Sequence, residues 1–161
     1  MAKFSLHFAI NTFTPTYGPD SNLQGCLNDA YMLRDLCKLK GIIPSTLLEE
    51  AATRAAYILK LKELASVAKP RDLVVLTQSS HGVLSVNENG PCTGVCLYDG
   101  ILWDHEMKEL LKGFKKGVDI LILSDTCHSE GNMRLMSSQD TPEEPFKTRF
   151  LKLEDIPKAV R

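Results

Sequence analysis

The 161-residue chain carries 19 basic and 20 acidic side chains, a net charge of −1, and this even balance argues against nucleic acid or an anionic membrane as the main partner. Five cysteines form an odd set without framework spacing, and Met1 is followed by no signal-type segment, so a reducing, cytoplasmic setting is expected without a disulfide scaffold. No apolar run approaches the roughly 18 residues of a membrane span, and the length suits one domain burying about 70% of its unfolded surface.

Phe4 to Ile10 predicts a first strand, and NTFTPTYGPDSNLQG, rich in Pro, Gly, Asn and Asp, predicts a loop after it. Cys26, Ala30, Leu33 and Cys37 fall at i, i+4, i+7 and i+11, the spacing of a helix, with Gly41 just past its end as a C-cap. Ser45 to Leu48 reads as a short strand, and Thr53 to Ala68, closed by Pro70, as a second helix. In DLVVLTQSSHG the apolar run Leu73 to Leu76 turns polar just before His81 and Gly82, and VDILILSDTCHSE repeats that design ahead of Cys127. Runs of this kind suit strands buried on both faces of a mostly parallel sheet, with Leu121 to Leu123 expected to bury the second. Between them, SVNENGPCTGVCLYDG predicts a projecting hairpin or loop. A helix follows, with Asp104 as N-cap and Met107, Leu110, Leu111 and Phe114 on one face.

Residues 1–131 therefore read as an α/β core, a mostly parallel central sheet flanked by helices on both faces. Residues 132–161, with three prolines and many charges, read as a loop or extended linker arm.

His81 and Cys127 each stand where an apolar strand gives way to polar residues, and in an open parallel sheet ligands bind outside the carboxyl ends of the strands. If the two strands are neighbours, imidazole and thiol share one crevice. The imidazole would assist thiolate formation or protonate a leaving amine while the thiolate attacks a carbonyl. Backbone N–H groups of Gly82 and Cys127 would hold the oxyanion. The bland alternative is that Cys127 is a small hydrophobe at a strand end. His128 is adjacent to Cys127, but neighbouring side chains diverge at a strand end, which favours His81 as base. Asp29 alone reads equally as a helix N-terminal charge, and Asp125 as a turn cap.

SSHG at 79–82, DTCHSE at 125–130 and LQGCLNDAYMLRDL at 23–36, in this order and spacing, resemble the metacaspase and bacterial caspase-like branch of the caspase-type cysteine peptidases. The resemblance implies a caspase-like fold and endopeptidase activity with His81 and Cys127 as the dyad. It also implies a pocket for Arg or Lys before the scissile bond, lined by Cys26, Asp29, Ser79 and Asp125. The residue pattern agrees: Cys26 and Asp29 share one face of a helix turn, and Ser79 and Asp125 each lie two residues before His81 and Cys127, pointing to the same side. Two converging carboxylates would bind a guanidinium bidentately and disfavour an acidic residue.

The sequence departs from the family at Ser80 and Glu130, where glycines are usual. Many metacaspases use calcium; Asp99, Asp104 and Glu106 are the acidic residues at hand, and they do not reproduce the family's cluster, so no cofactor is required by this reading. Cys92 and Cys96 lack a second pair with zinc spacing and read as incidental thiols. The resemblance covers the larger, dyad-bearing part of the family's proteins. A C-terminal small subunit, from the same precursor or a separate chain, is expected as partner. Arg161, and alternatively Arg149, are candidate self-processing sites for an enzyme activated from a zymogen. The competing reading is a non-catalytic caspase-like module that binds a protein through the same crevice.

Overall fold

The computed structural model describes residues 1–18, 21–87, 90–126 and 150–152. In chain order the elements are β1 (Lys3–Ala9), α1 (Cys26–Leu39), β2 (Ile43–Leu48), α2 (Arg54–Val67), β3 (Leu73–Ser79), β4 (Gly82–Asn87), β5 (Gly90–Leu97), β6 (Gly100–Trp103), α3 (Asp104–Leu111), β7 (Asp119–Asp125) and β8 (Phe150–Lys152). Four of the strands pair in the order β2-β1-β3-β7, all parallel, giving the expected α/β core.

The helices cover both faces. On one side Ser79 of β3 bonds Asp29 of α1. Strand alternation puts Thr77 on that same side, and the register puts His7 of β1 beside Thr77. On the other side Phe8 and Gln78 meet Tyr57 of α2, the rings of Phe8 and Tyr57 lying 5.5 Å apart and the Gln78 amide donating to the Tyr57 hydroxyl at 2.9 Å. β1 and β3 are buried almost throughout, as their continuous apolar runs require. β7 differs: it is the outer strand among the described residues, and Leu121 is 47% exposed rather than buried. The apolar run of β7 is thus covered on one side more than on the other.

Local sequence sets the helix ends. α1 closes in a Schellman turn, with Gly41 in the left-handed region at φ 68° and the N–H groups of Ile42 and Gly41 donating to the carbonyls of Cys37 and Lys38. Thr53 caps α2 by accepting from the Ala56 N–H. α3 begins at Asp104 with Trp103, not Asp104, in the N-cap position, because the Glu106 carboxylate turns back to accept the Trp103 N–H at 3.0 Å. It ends at Leu111, so Phe114 packs on the core from beyond the helix.

The segment expected as a projecting hairpin or loop does pair antiparallel, as β4 with β5, but it does not simply project: both strands belong to a second sheet, β6-β5-β4-β8, antiparallel except for the β4–β8 pair. It carries its own buried residues, Val83, Val95, Leu97, Ile101 and Leu102 among them. Apolar alternation through Gly-rich sequence lets it pack inward. β8 lies within the stretch read from sequence as loop or arm.

Candidate active site

His81 sits between β3 and β4, only 3% exposed. Its Nε2 lies 2.7 Å from the Ser21 carbonyl oxygen. A carbonyl can only accept, so Nε2 carries the proton and Nδ1 is the basic nitrogen of the neutral ring. The Phe13 ring packs against the imidazole, centroids 5.1 Å apart. Both groups belong to the loop after β1, which several bonds hold in place. The Asn11 side chain accepts the Cys26 N–H at 3.0 Å, the Asn22 side chain accepts the Phe13 N–H at 3.1 Å, and the Leu23 N–H reaches the Asn11 carbonyl at 2.7 Å. The Tyr17 hydroxyl donates toward the carbonyls of Leu97 and Gly100 at 2.6 and 2.8 Å, tying the loop to the β5–β6 turn. The chain thus orients its histidine through a backbone carbonyl, which no sequence motif would reveal.

Ser80, the departure before the histidine, is fully buried, and its hydroxyl donates to the Cys96 carbonyl at 2.7 Å. The extra side chain is thereby absorbed, and β5 is tied to the His81 turn a second time by the Cys96 N–H, which donates to the His81 carbonyl. Gly82 follows as the first residue of β4.

A cavity of about 130 Å³ opens at the carboxyl ends of β3 and β7 under α1, lined by Asp29, Ala30, Leu33, Thr77, Gln78, Ser79, Leu123, Ser124 and Asp125. Three of the four residues named from sequence meet here. Asp29 is in the first turn of α1 and accepts the Ser79 hydroxyl at 2.9 Å, and parallel pairing sets Ser79 directly beside Asp125. Cys26, the fourth, is wholly buried within the core and is not among the residues lining this cavity. The floor residues Thr77 and Leu123 were not read from sequence because one directly follows an apolar strand run and the other ends one. Within the lining, Gln78 is held between the Tyr57 hydroxyl and Ser124, whose hydroxyl donates to it at 3.3 Å.

Cys127, Glu130, Arg149 and Arg161 lie outside the described residues; Cys127 is two positions beyond Asp125. The acidic residues considered for calcium do not form a cation cage. The Arg54 guanidinium is paired with Glu106, Asp99 accepts the Arg54 N–H at 2.7 Å, and Asp104 accepts the Thr93 hydroxyl. Among the described residues no three His, Cys, Asp or Glu side chains are grouped to hold a metal. These residues fasten α2 to the second sheet and α3. Cys96 is fully buried and its thiol pushed up to about 12 by that burial, while Cys92 is raised by burial and by Asp104 and Glu106, so both are poor thiolates. Among the described residues no helix is long and apolar enough to cross a membrane.

The family model described as metacaspase, peptidase C14 domain, matches residues 6–136. The crystal structure of protein GSU0716 from Geobacter sulfurreducens is similar over 80% of this chain, at 32% identity and a TM-score of 0.74. This chain spans about half of that one, 52% of its length. No curated protein matches the chain significantly.

Proposed function

The chain belongs to the metacaspase, peptidase C14, family, and on that premise we propose that it is the larger catalytic part of a cysteine endopeptidase cleaving after Arg or Lys. The observation that carries this reading is the convergence of Asp29, Ser79 and Asp125 on one cavity at the strand ends, Ser79 and Asp125 standing two residues short of His81 and of Cys127.

In the proposed reaction His81 Nδ1, its tautomer held by the Ser21 carbonyl, takes the proton from the Cys127 thiol. The thiolate attacks the carbonyl carbon of the basic residue. The backbone N–H groups of Gly82 and Cys127 hold the oxyanion. Collapse breaks the C–N bond, the imidazolium gives its proton to the leaving amine, and a water activated by His81 hydrolyses the thioester. No cofactor enters these steps. Asp29 and Asp125 neutralise a bound guanidinium or ammonium and repel an acidic side chain.

The outer position of β7 among the described residues, with Leu121 exposed, and the match to only 52% of the Geobacter protein's length support a C-terminal small subunit as partner. Activation by cleavage after Arg149 fits the same specificity. The rival reading, a non-catalytic module, drew on Ser80 and Glu130; the Ser80–Cys96 bond weakens the first ground, and Glu130 lies outside the described residues.

Peptides ending in Arg, Lys or Asp before a fluorogenic group test the proposal, with Cys127→Ala as control and calcium added or chelated. Turnover of Arg and Lys peptides, abolished by Cys127→Ala, is expected. Turnover of the Asp peptide but not the Arg peptide would overturn it.

A further inference from the structure

His7 lies beneath the cavity and has no part in the chemistry above. It is fully buried on β1, its Nε2 2.8 Å from Ser5 Oγ and its Nδ1 2.9 Å from Thr77 Oγ1. Thr77 in turn lines the cavity, two residues and about 6.6 Å deeper along β3 than Ser79. A buried histidine joined to the floor of a pocket through one hydroxyl is an expensive arrangement unless every polar atom is used. A neutral imidazole donates from one nitrogen and accepts at the other, so its tautomer decides which way the Thr77 hydroxyl points.

Resting on the specificity reading above, we propose that Thr77 is a specificity-determining residue and His7 the positioning residue that sets its hydroxyl. Thr77 donates its proton to His7 Nδ1, His7 Nε2–H donates to Ser5 Oγ, and the Thr77 oxygen keeps its lone pairs for the substrate. With the opposite tautomer, Nδ1–H would donate to Thr77 and turn the threonine proton toward an incoming cation. The first arrangement suits a basic side chain. A guanidinium carries five donors in a planar fork and can meet the rim carboxylates of Asp29 and Asp125 and the floor hydroxyl together; an ammonium concentrates three donors at a point. Thr77 therefore favours Arg over Lys. Burial and, after it, the Arg34 guanidinium hold the His7 pKa down to about 4, so the ring is neutral at ordinary pH and places no charge under the pocket.

Two readouts test this on the active, full-length protein. Nitrogen-15 NMR of the imidazoles should show His7 as the Nε2–H tautomer; an Nδ1–H tautomer would overturn the proposal whatever the activity. In kinetics with Arg and Lys peptides, Thr77→Val should raise KM for Arg about ten-fold with kcat unchanged and lower the Arg/Lys preference, while Thr77→Ser keeps it. His7→Leu should reproduce the loss and add nothing in the double variant with Thr77→Val, and His7→Asn, which restores an acceptor near Nδ1, should recover the preference. If His7→Leu fails to fold, the tautomer and the Thr77 variants still decide. An unchanged Arg/Lys ratio in Thr77→Val overturns the inference alone. A wild-type protein that cleaves neither peptide overturns the specificity reading and the inference with it.

Discussion

Lowering the pH from 7.5 to 4 should destabilise the protein through His7. The folded protein holds its pKa at about 4 against an ordinary 6.5, chiefly by burial and next by the nearby Arg34 guanidinium, with Asp35 opposing. Those two charges come from α1; the strand partners Ser5 and Thr77 do not titrate in this range. The unfolded chain takes up a proton near 6.5 and the folded one does not, so the unfolded state binds more protons as pH falls. Stability is therefore full above 6.5, declines from there toward 4, and levels below. The gap corresponds to at most about 3 kcal/mol, a large fraction of the 5–15 kcal/mol that is typical of a domain. Urea midpoints measured in pH steps for the wild type and for His7→Asn give the assay. Other carboxylates titrate in both proteins, so the difference curve isolates His7. A difference that stays flat within about 0.5 kcal/mol over this window would refute the claim that burial keeps the ring neutral.

Asp29→Asn should lower kcat/KM for Arg and Lys peptides about 10- to 100-fold, the worth of a charge-assisted hydrogen bond, while shifting stability by less than about 1 kcal/mol for a first-turn charge; steady-state kinetics and thermal melts together check it. Tyr17→Phe removes the donor to the Leu97 and Gly100 carbonyls and should cost about 1–3 kcal/mol. Because that bond anchors the loop bearing Ser21, kcat should fall more than KM rises, read from full saturation curves. Ser80→Gly removes the bond to the Cys96 carbonyl and should cost about 1 kcal/mol in urea unfolding with activity kept within about two-fold; a gain in stability would mean that the serine strains the turn.

Much of the fold was legible because its signals are local. The i, i+4, i+7 spacing from Cys26 to Cys37, the Thr53 cap and the apolar run at Leu73 to Leu76 each encode an element within a few residues, and those elements formed where periodicity put them. Segments whose role depends on distant neighbours were harder. Leu121 has the same apolar character as Val75, its partner in register, yet lies exposed because β7 is the outer described strand. The stretch after His81 reads as a hairpin by its turn residues, and only its packing makes it part of a second sheet.

The site divides in the same way. By itself the sequence determined which residues could do chemistry: a histidine and a cysteine at strand ends, with Ser79 and Asp125 each two places before them, since strand alternation is a property of the local chain. Tertiary structure alone decided which of them meet. Ser79 reaches Asp29 across 50 positions, His81 reaches the Ser21 carbonyl across 60, and His7 reaches Thr77 across 70. Sheet register aligned Ser79 with Asp125, and the rotation of α1 carried Asp29 into the cavity while turning Cys26 into the core. The physical reason is that periodicity encodes which way a side chain faces along its own element, whereas what stands opposite it depends on pairing and packing between elements far apart in the chain.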